Sequence, residues 1–175
     1  SLPETGMPQL NVPVLRSGRW PDAPGEVVVN EPFALSNGFS PGDSFLANLN
    51  GSKRALTITG TALSPEFIYT LGPGALMPDS ETFGIIWMRP QEAEAAFDMT
   101  GAFNDLTLKI ARGVRPEEVV FRLDQLLEPY GGQGAILRDQ QGSHAIIDAE
   151  TGASIDNHNH VIRGGLMAPY KDRHT

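Results

Sequence analysis

The residues best suited to chemistry lie late in the chain, where His158 and His160 flank a single asparagine and Asp156 sits just upstream. On a strand, a His-x-His pair sets both imidazoles on one face, and neutral imidazole is a good zinc ligand. A tetrahedral site needs further ligands, and a catalytic one keeps a position open for water. His144, Asp148 and His174 are the candidates, but none falls in a supporting pattern. The chemistry this pair would serve is that of a small metal-dependent hydrolase; a solvated polar segment is the competing reading, and the one the missing ligands favour. The consecutive letters His-Asn-His are no nuclease signature either. Ser64 and the Ser143-His144 pair carry nucleophile-type side chains without a Gly-x-Ser-x-Gly elbow to present them. Asp79, Glu81, Asp98 and Asp105 are scattered through turn-rich sequence, as capping residues are. Gly72-Pro73-Gly74 lacks the Gly-Lys-Ser/Thr ending of a phosphate loop. No catalytic, metal or cofactor-binding residue is therefore expected.

Composition narrows the classes further. The net charge is −8, so no basic stripe exists to neutralise nucleic-acid phosphates or to dock on an anionic membrane. Cysteine is absent from the sequence, which removes disulfides, thiolate zinc sites and cysteine nucleophiles together. A chain of 175 residues needs no covalent staple, because folding at this length removes roughly 70% of the unfolded surface from water. No run approaches the roughly 20 apolar residues that cross a bilayer. The first ten residues lack the basic and apolar regions of a signal peptide. Residues 2–6 spell a sortase sorting pentapeptide, but no apolar span and basic cluster follow it, so it reads as coincidence.

The elements that would position any site are organised around residues 54–88. Residues 54–62 alternate: Leu56 and Ile58 face one way, and Thr57, Thr59 and Thr61 the other, as in a half-buried strand. Residues 83–88, Phe-Gly-Ile-Ile-Trp-Met, read as a buried return strand of the same sheet. Replacing Ile86 with Ala in a tight core would cost about 2–5 kcal/mol. Between the two lies a long excursion, residues 64–82, and connections of that length are usually functional or packed by their own side chains.

Upstream, residues 7–20 read as loop, with Trp20 as a lid on the core. Residues 26–30 read as a β-branched strand, and Pro32 and Gly38 bracket a short helix. Asn50-Gly51 marks a hairpin between two alternating runs, since both residues tolerate positive φ. Downstream, Pro90 opens a helix and residues 104–111 form a strand. Pro116 starts the strongest helix, with Val119, Val120, Leu123, Leu126 and Leu127 on one face. Residues 135–137 complete a βαβ unit. From Asp139 the sequence turns polar, and residues 148–175 are expected to be a polar tail or a loosely packed segment. The fold class is α+β: mixed small sheets with a βαβ unit.

Gly18-Arg19-Trp20-Pro21, residues 26–31, Gly42-Asp43, residues 63–69, residues 83–88 and residues 102–105 recur in one arrangement, joined by Pro129-Tyr130-Gly131-Gly132, Asp139-Gln140-Gln141 and Ser143-His144. In this set the chain resembles the periplasmic core domain of MacB/FtsX-type ABC transporter permeases, over about residues 6–147. The resemblance implies a domain of two small lobes over residues 1–147, with a central lobe of about 26–100. It implies a non-enzymatic role on the periplasmic face of the bacterial inner membrane. There such a domain contacts a substrate, adaptor or lipoprotein and relays motion driven by a cytoplasmic ABC ATPase through a paired permease subunit. A free-standing periplasmic binding module is the alternative. The chain departs from the family after Ile147, where a stalk helix is expected. Independently of the resemblance, the excursion's aromatic and aliphatic side chains Phe67, Tyr69, Leu71 and Leu76 form a candidate partner contact.

Overall fold

Val27, Val28 and Val29 are all fully buried, so the strand they form, β2 (Glu26–Asn30), has both faces covered. An unbroken apolar run is what a doubly covered strand requires, because alternate side chains leave opposite faces. The computed structural model describes residues 2, 6, 8–67, 79–137 and 140, and the backbone of strand 161–166. The fold is α+β, and the chain divides into two units, Ser1–Thr100 and Gly101–Thr175.

In the first unit β2 runs parallel to β4 (Ser52–Leu63), the longest of the described strands. Along its first half β4 pairs antiparallel with β3 (Ser44–Leu49). The hairpin between them closes on Asn50 and Gly51 at φ 49° and 82°, the left-handed pair that a tight turn of this kind demands. Along its last residues β4 pairs with β1 (Val14–Gly18). This strand corrects the reading of residues 7–20 as loop: β1 is mostly exposed, so it carries no buried alternation and is made a strand by its partner alone. Gly18 and Gly60 face each other across this pair. A Cβ on Gly18 would fall 2.1 Å from the Thr59 carbonyl oxygen, and one on Gly60 would fall 2.5 Å from that of Ser17.

The return strand is shorter than the sequence implies. Only β5 (Ile86–Trp87) is ladder, and it lies beside β2 rather than β4. Gly84, just before it, is pressed on the Phe33 ring, and Pro90 opens the next helix. Ile58 is fully buried, whereas Ile86 is only partly so. Thr59 and Thr61 are buried as well, so β4 is covered on both faces in its second half, not half-buried throughout. Helix α1 (Glu31–Asn37) follows β2 and stops at Gly38 in the left-handed conformation. Helix α2 (Pro90–Phe97) ends at Asp98, φ 55°.

Among the described residues the second unit has a three-stranded sheet and one α-helix. β6 (Asp105–Lys109) and β7 (Gly132–Leu137) each pair antiparallel with β8 (Val161–Leu166), which lies between them. β6 and β7 are thus parallel, and the expected βαβ unit is split by an inserted strand. The stretch 148–175, expected as a polar tail, supplies that middle strand. Helix α3 (Pro116–Leu127) buries Leu123 and Leu127, with Val119 and Val120 partly covered. Leu126 is 69% exposed, which corrects its placement on the buried face. It stands about 100° of helix rotation from Leu127.

Candidate partner-contact surface

Phe67 reaches its place through a turn built into the end of β4. Ser64 and Pro65 occupy the first two positions that such turns favour. The Phe67 amide donates to the Ser64 carbonyl, 3.1 Å, and the Glu66 amide to Ser64 Oγ, 3.2 Å. The chain folds back, and the Phe67 ring packs on Val28, Ala62 and Trp87, in a cluster that also takes in Leu2, Leu15, Trp20 and Ile85. Phe67 is partly buried there, so it fills the sheet's own interior at least in part. Tyr69, Leu71 and Leu76, the other three members of the candidate contact, lie outside the described residues.

The excursion's far end is pinned by Asp79. Its carboxylate accepts from the Thr82 hydroxyl, from the Thr82 amide at 3.2 Å and from the Glu81 amide at 3.0 Å. These bonds, the hydroxyl's first, hold the carboxyl below its ordinary pKa. Asn37 Nδ2 then donates to the Glu81 carbonyl at 3.1 Å and ties the return to α1. Beneath lie Phe33, Phe39 and Phe45, with ring centroids 5.7–6.0 Å apart, at the edge of a core formed by Val27, Val29, Leu56, Ile58 and Met88.

An ion cluster that the sequence did not single out closes the loop between β1 and β2. Arg19 forks onto both oxygens of Glu26 and also reaches Asp22 Oδ1, 2.9 Å. Glu26 Oε2 further accepts the amides of Asp22 and Ala23, 3.1 and 3.2 Å. The Arg19 bond first, then the Asp22 amide, pull the Glu26 carboxyl down to a pKa of about 2; the same bond raises that of Arg19. From the other side, α2 reaches this loop: Glu92 Oε2 accepts the Gly25 amide at 3.0 Å, and Arg89 Nη1 donates to the Asp22 carbonyl at 2.7 Å. The only hint in sequence was charge of both signs at the ends of a Pro- and Gly-containing loop.

Among the described residues the candidate chemical side chains are not brought together. Ser64 is buried and spent on its turn. Asp98 ends α2, and Asp105 opens β6 opposite Gly165. His144, Asp148, Asp156, His158, His160 and His174, and Ser143, lie outside the described residues. Among the described residues no three His, Asp or Glu side chains gather to hold a metal, and no helix is long and apolar enough to cross a membrane.

What these observations define is a small α+β protein whose first sheet carries a packed cluster on each face. No protein-family model matches the chain, and comparisons with curated proteins and with solved structures return no match.

Proposed function

We propose that the chain is a non-enzymatic extracytoplasmic domain of an FtsX/MacB-like ABC transporter permease, on the periplasmic face of the bacterial inner membrane. In that role it contacts a substrate or partner protein and relays ATP-driven motion. One observation carries the reading. Four separate motifs of the resemblance interlock as one packing unit. Trp20, Val28, Phe67, Ile85 and Trp87 meet in a single cluster, Arg19 of the first motif holds Glu26 of the second, and Asn30 Oδ1 accepts the amide of Ile85 at 2.8 Å. The residues that carry the resemblance thus depend on one another for packing. A rigid sheet bearing a long excursion also suits a relay, since loops held on a scaffold commonly make the contacts. The implied partners are a cytoplasmic ABC ATPase, a second permease subunit, and a periplasmic adaptor, lipoprotein or substrate.

The test uses the complete product of the coding sequence that contains this chain. The expected result is recovery with the membrane fraction, co-purification of an ATPase, and protease access to this domain only from the periplasmic side. Recovery as soluble periplasmic protein without flanking membrane helices would overturn the proposal in favour of a free-standing binding module.

A further inference from the structure

Among the described residues, β1, β3 and β5 of the first sheet each have a hydrogen-bonded strand on one side only. Open strand edges invite pairing with another chain, and folds defend them with short length, charge, proline or a bulge. β5 is two residues long, and β1 carries Arg16 and a register shift between Leu15 and Ser17. β3 has none of these defences. It runs for six residues, Ser-Phe-Leu-Ala-Asn-Leu, without charge or proline, and pairs with β4 at every position without a shift. The ladder also shows which of its groups are free. The Thr57 amide points away from β3, to the Gly25 carbonyl at 2.8 Å, while the Ile58 amide points to the Asp43 carbonyl, also at 2.8 Å. Ser44 and Thr57 are therefore a non-hydrogen-bonded pair, and by alternation so are Leu46 with Ala55 and Asn48 with Lys53. The N–H and C=O groups of Ser44, Leu46 and Asn48 thus face outward, and no other described backbone segment meets them. Their side chains share one face and are exposed, that of Leu46 by 74%.

We infer that the β3 edge is a self-association surface, on which a second copy of this chain lays its own β3 antiparallel about a two-fold axis through Leu46. Leu46 of each copy then meets its counterpart, and Ser44 of each meets Asn48 of the other. All three outward-facing residues are satisfied, because each such pair exchanges both of its hydrogen bonds. The exposed leucine covers its counterpart, and a hydroxyl meets a carboxamide. Charge selects this arrangement over a parallel one. Asp43, whose carboxylate accepts the Ser40 amide at 2.7 Å, stands just before the strand. Exposed Lys53 and Arg54 lie beside its far end, opposite Asn48 and Ala47. An antiparallel two-fold turns the acidic end of each copy toward the basic end of the other, whereas a parallel pair sets like ends together. One edge buries little area, so the association belongs to the weak class, below about 1,200 Å². The inference does not rest on the permease reading, because its readout is association of the chain with itself.

The chain has no cysteine, so single replacements in the whole chain can report the register. In a hydrogen-bonded antiparallel pair the Cα atoms stand about 5.5 Å apart, within disulfide range. Under mild oxidation Leu46→Cys should therefore form a covalent dimer at least about tenfold faster than Ser44→Cys or Asn48→Cys, whose counterparts lie about 13 Å apart along the strands. Sedimentation of the native chain should show a concentration-dependent dimer. Leu46→Lys sets like charges directly opposite at the axis and should weaken that dimer by about fivefold or more. Because Leu46 is exposed, the same variant should keep its tryptophan unfolding midpoint, which shows that the fold is intact. A native chain that stays monomeric to millimolar concentration leaves the edge to some other strand and overturns the proposal. A dimer that Leu46→Lys leaves unchanged forms through another surface and does the same. Equal cross-linking at all three positions would reduce the contact to collision and overturn the paired register.

Discussion

β2 and β6 are both five-residue strands, yet residues 27–30 of β2 are all buried, whereas residues 105–108 of β6 are only partly covered and Lys109 is exposed. The difference follows from what covers each sheet. β2 has Val27 and Val29 on one core and Val28 on another. β6 turns Leu106 and Leu108 toward the core under α3, where the buried members among the described residues are Leu123, Leu127 and Ala135. A strand with two apolar faces needs valine at successive positions, and a strand with one alternates. The comparison teaches where stability should concentrate among the described residues: in the first unit's sheet, whose strand β2 is buried on both faces.

The sharpest way to break the comparison is Ile58→Ala. Ile58 is fully buried at the centre of β4, so the substitution should cost about 2–5 kcal/mol. Both tryptophans, Trp20 and Trp87, lie in the first unit. Their fluorescence during denaturant unfolding therefore reports that unit. A loss below about 1 kcal/mol would mean that the double-faced core is loosely packed.

Leu123→Ala should have the next largest effect, at the lower end of the same range, about 2 kcal/mol, because its core, among the described residues, is smaller and less fully covered. Far-UV circular dichroism should lose part of its transition early while the tryptophan transition stays put. If both shift together by the same amount, the two units unfold as one block, and the contrast drawn above has no thermodynamic meaning.

The smallest effect is electrostatic and concerns only the loop beside β2. The folded Glu26 carboxyl titrates at about 2, against an ordinary value of 4.5, chiefly through its bond to Arg19. A depressed folded pKa means that the unfolded chain binds the proton more readily. The stabilisation is therefore complete above the unfolded value and is lost as pH falls from about 4.5 toward 2. In denaturant midpoints by tryptophan fluorescence, Glu26→Gln should flatten this acid-side slope and leave the rest of the profile alone. An unchanged slope would show that the fork onto Arg19 does not form in solution.

Much of the first unit was legible in sequence because the signals are local. Pro32 and Gly38 bracket α1 through their own dihedral preferences, and Asn50-Gly51 specifies a turn whatever surrounds it. Leu123 and Leu127 declare the buried face of α3 by spacing; Leu126 misled because a helical stripe read from spacing is wider than the face one small sheet covers. Of the candidate contact, Phe67 could be named as an aromatic in a long excursion. That it folds back onto Trp87 through the Ser64 turn could not, since the cluster draws on residues from Leu2 to Trp87.

By itself the sequence determined the α+β class, the helix starts, the Asn-Gly hairpin and the β-branched character of β2. All of these rest on backbone preferences and on hydrophobic periodicity within a few residues. Tertiary structure alone decided that the exposed stretch Val14–Gly18 is a strand, that β5 shrinks to two residues beside β2, and that β8 separates β6 from β7. It also decided that Arg19, Arg89 and Glu92 converge on one loop. Each of these depends on which sheet edge or amide is free when a distant segment arrives. Edges and amides are backbone groups common to every residue, so side-chain pattern carries no record of that choice.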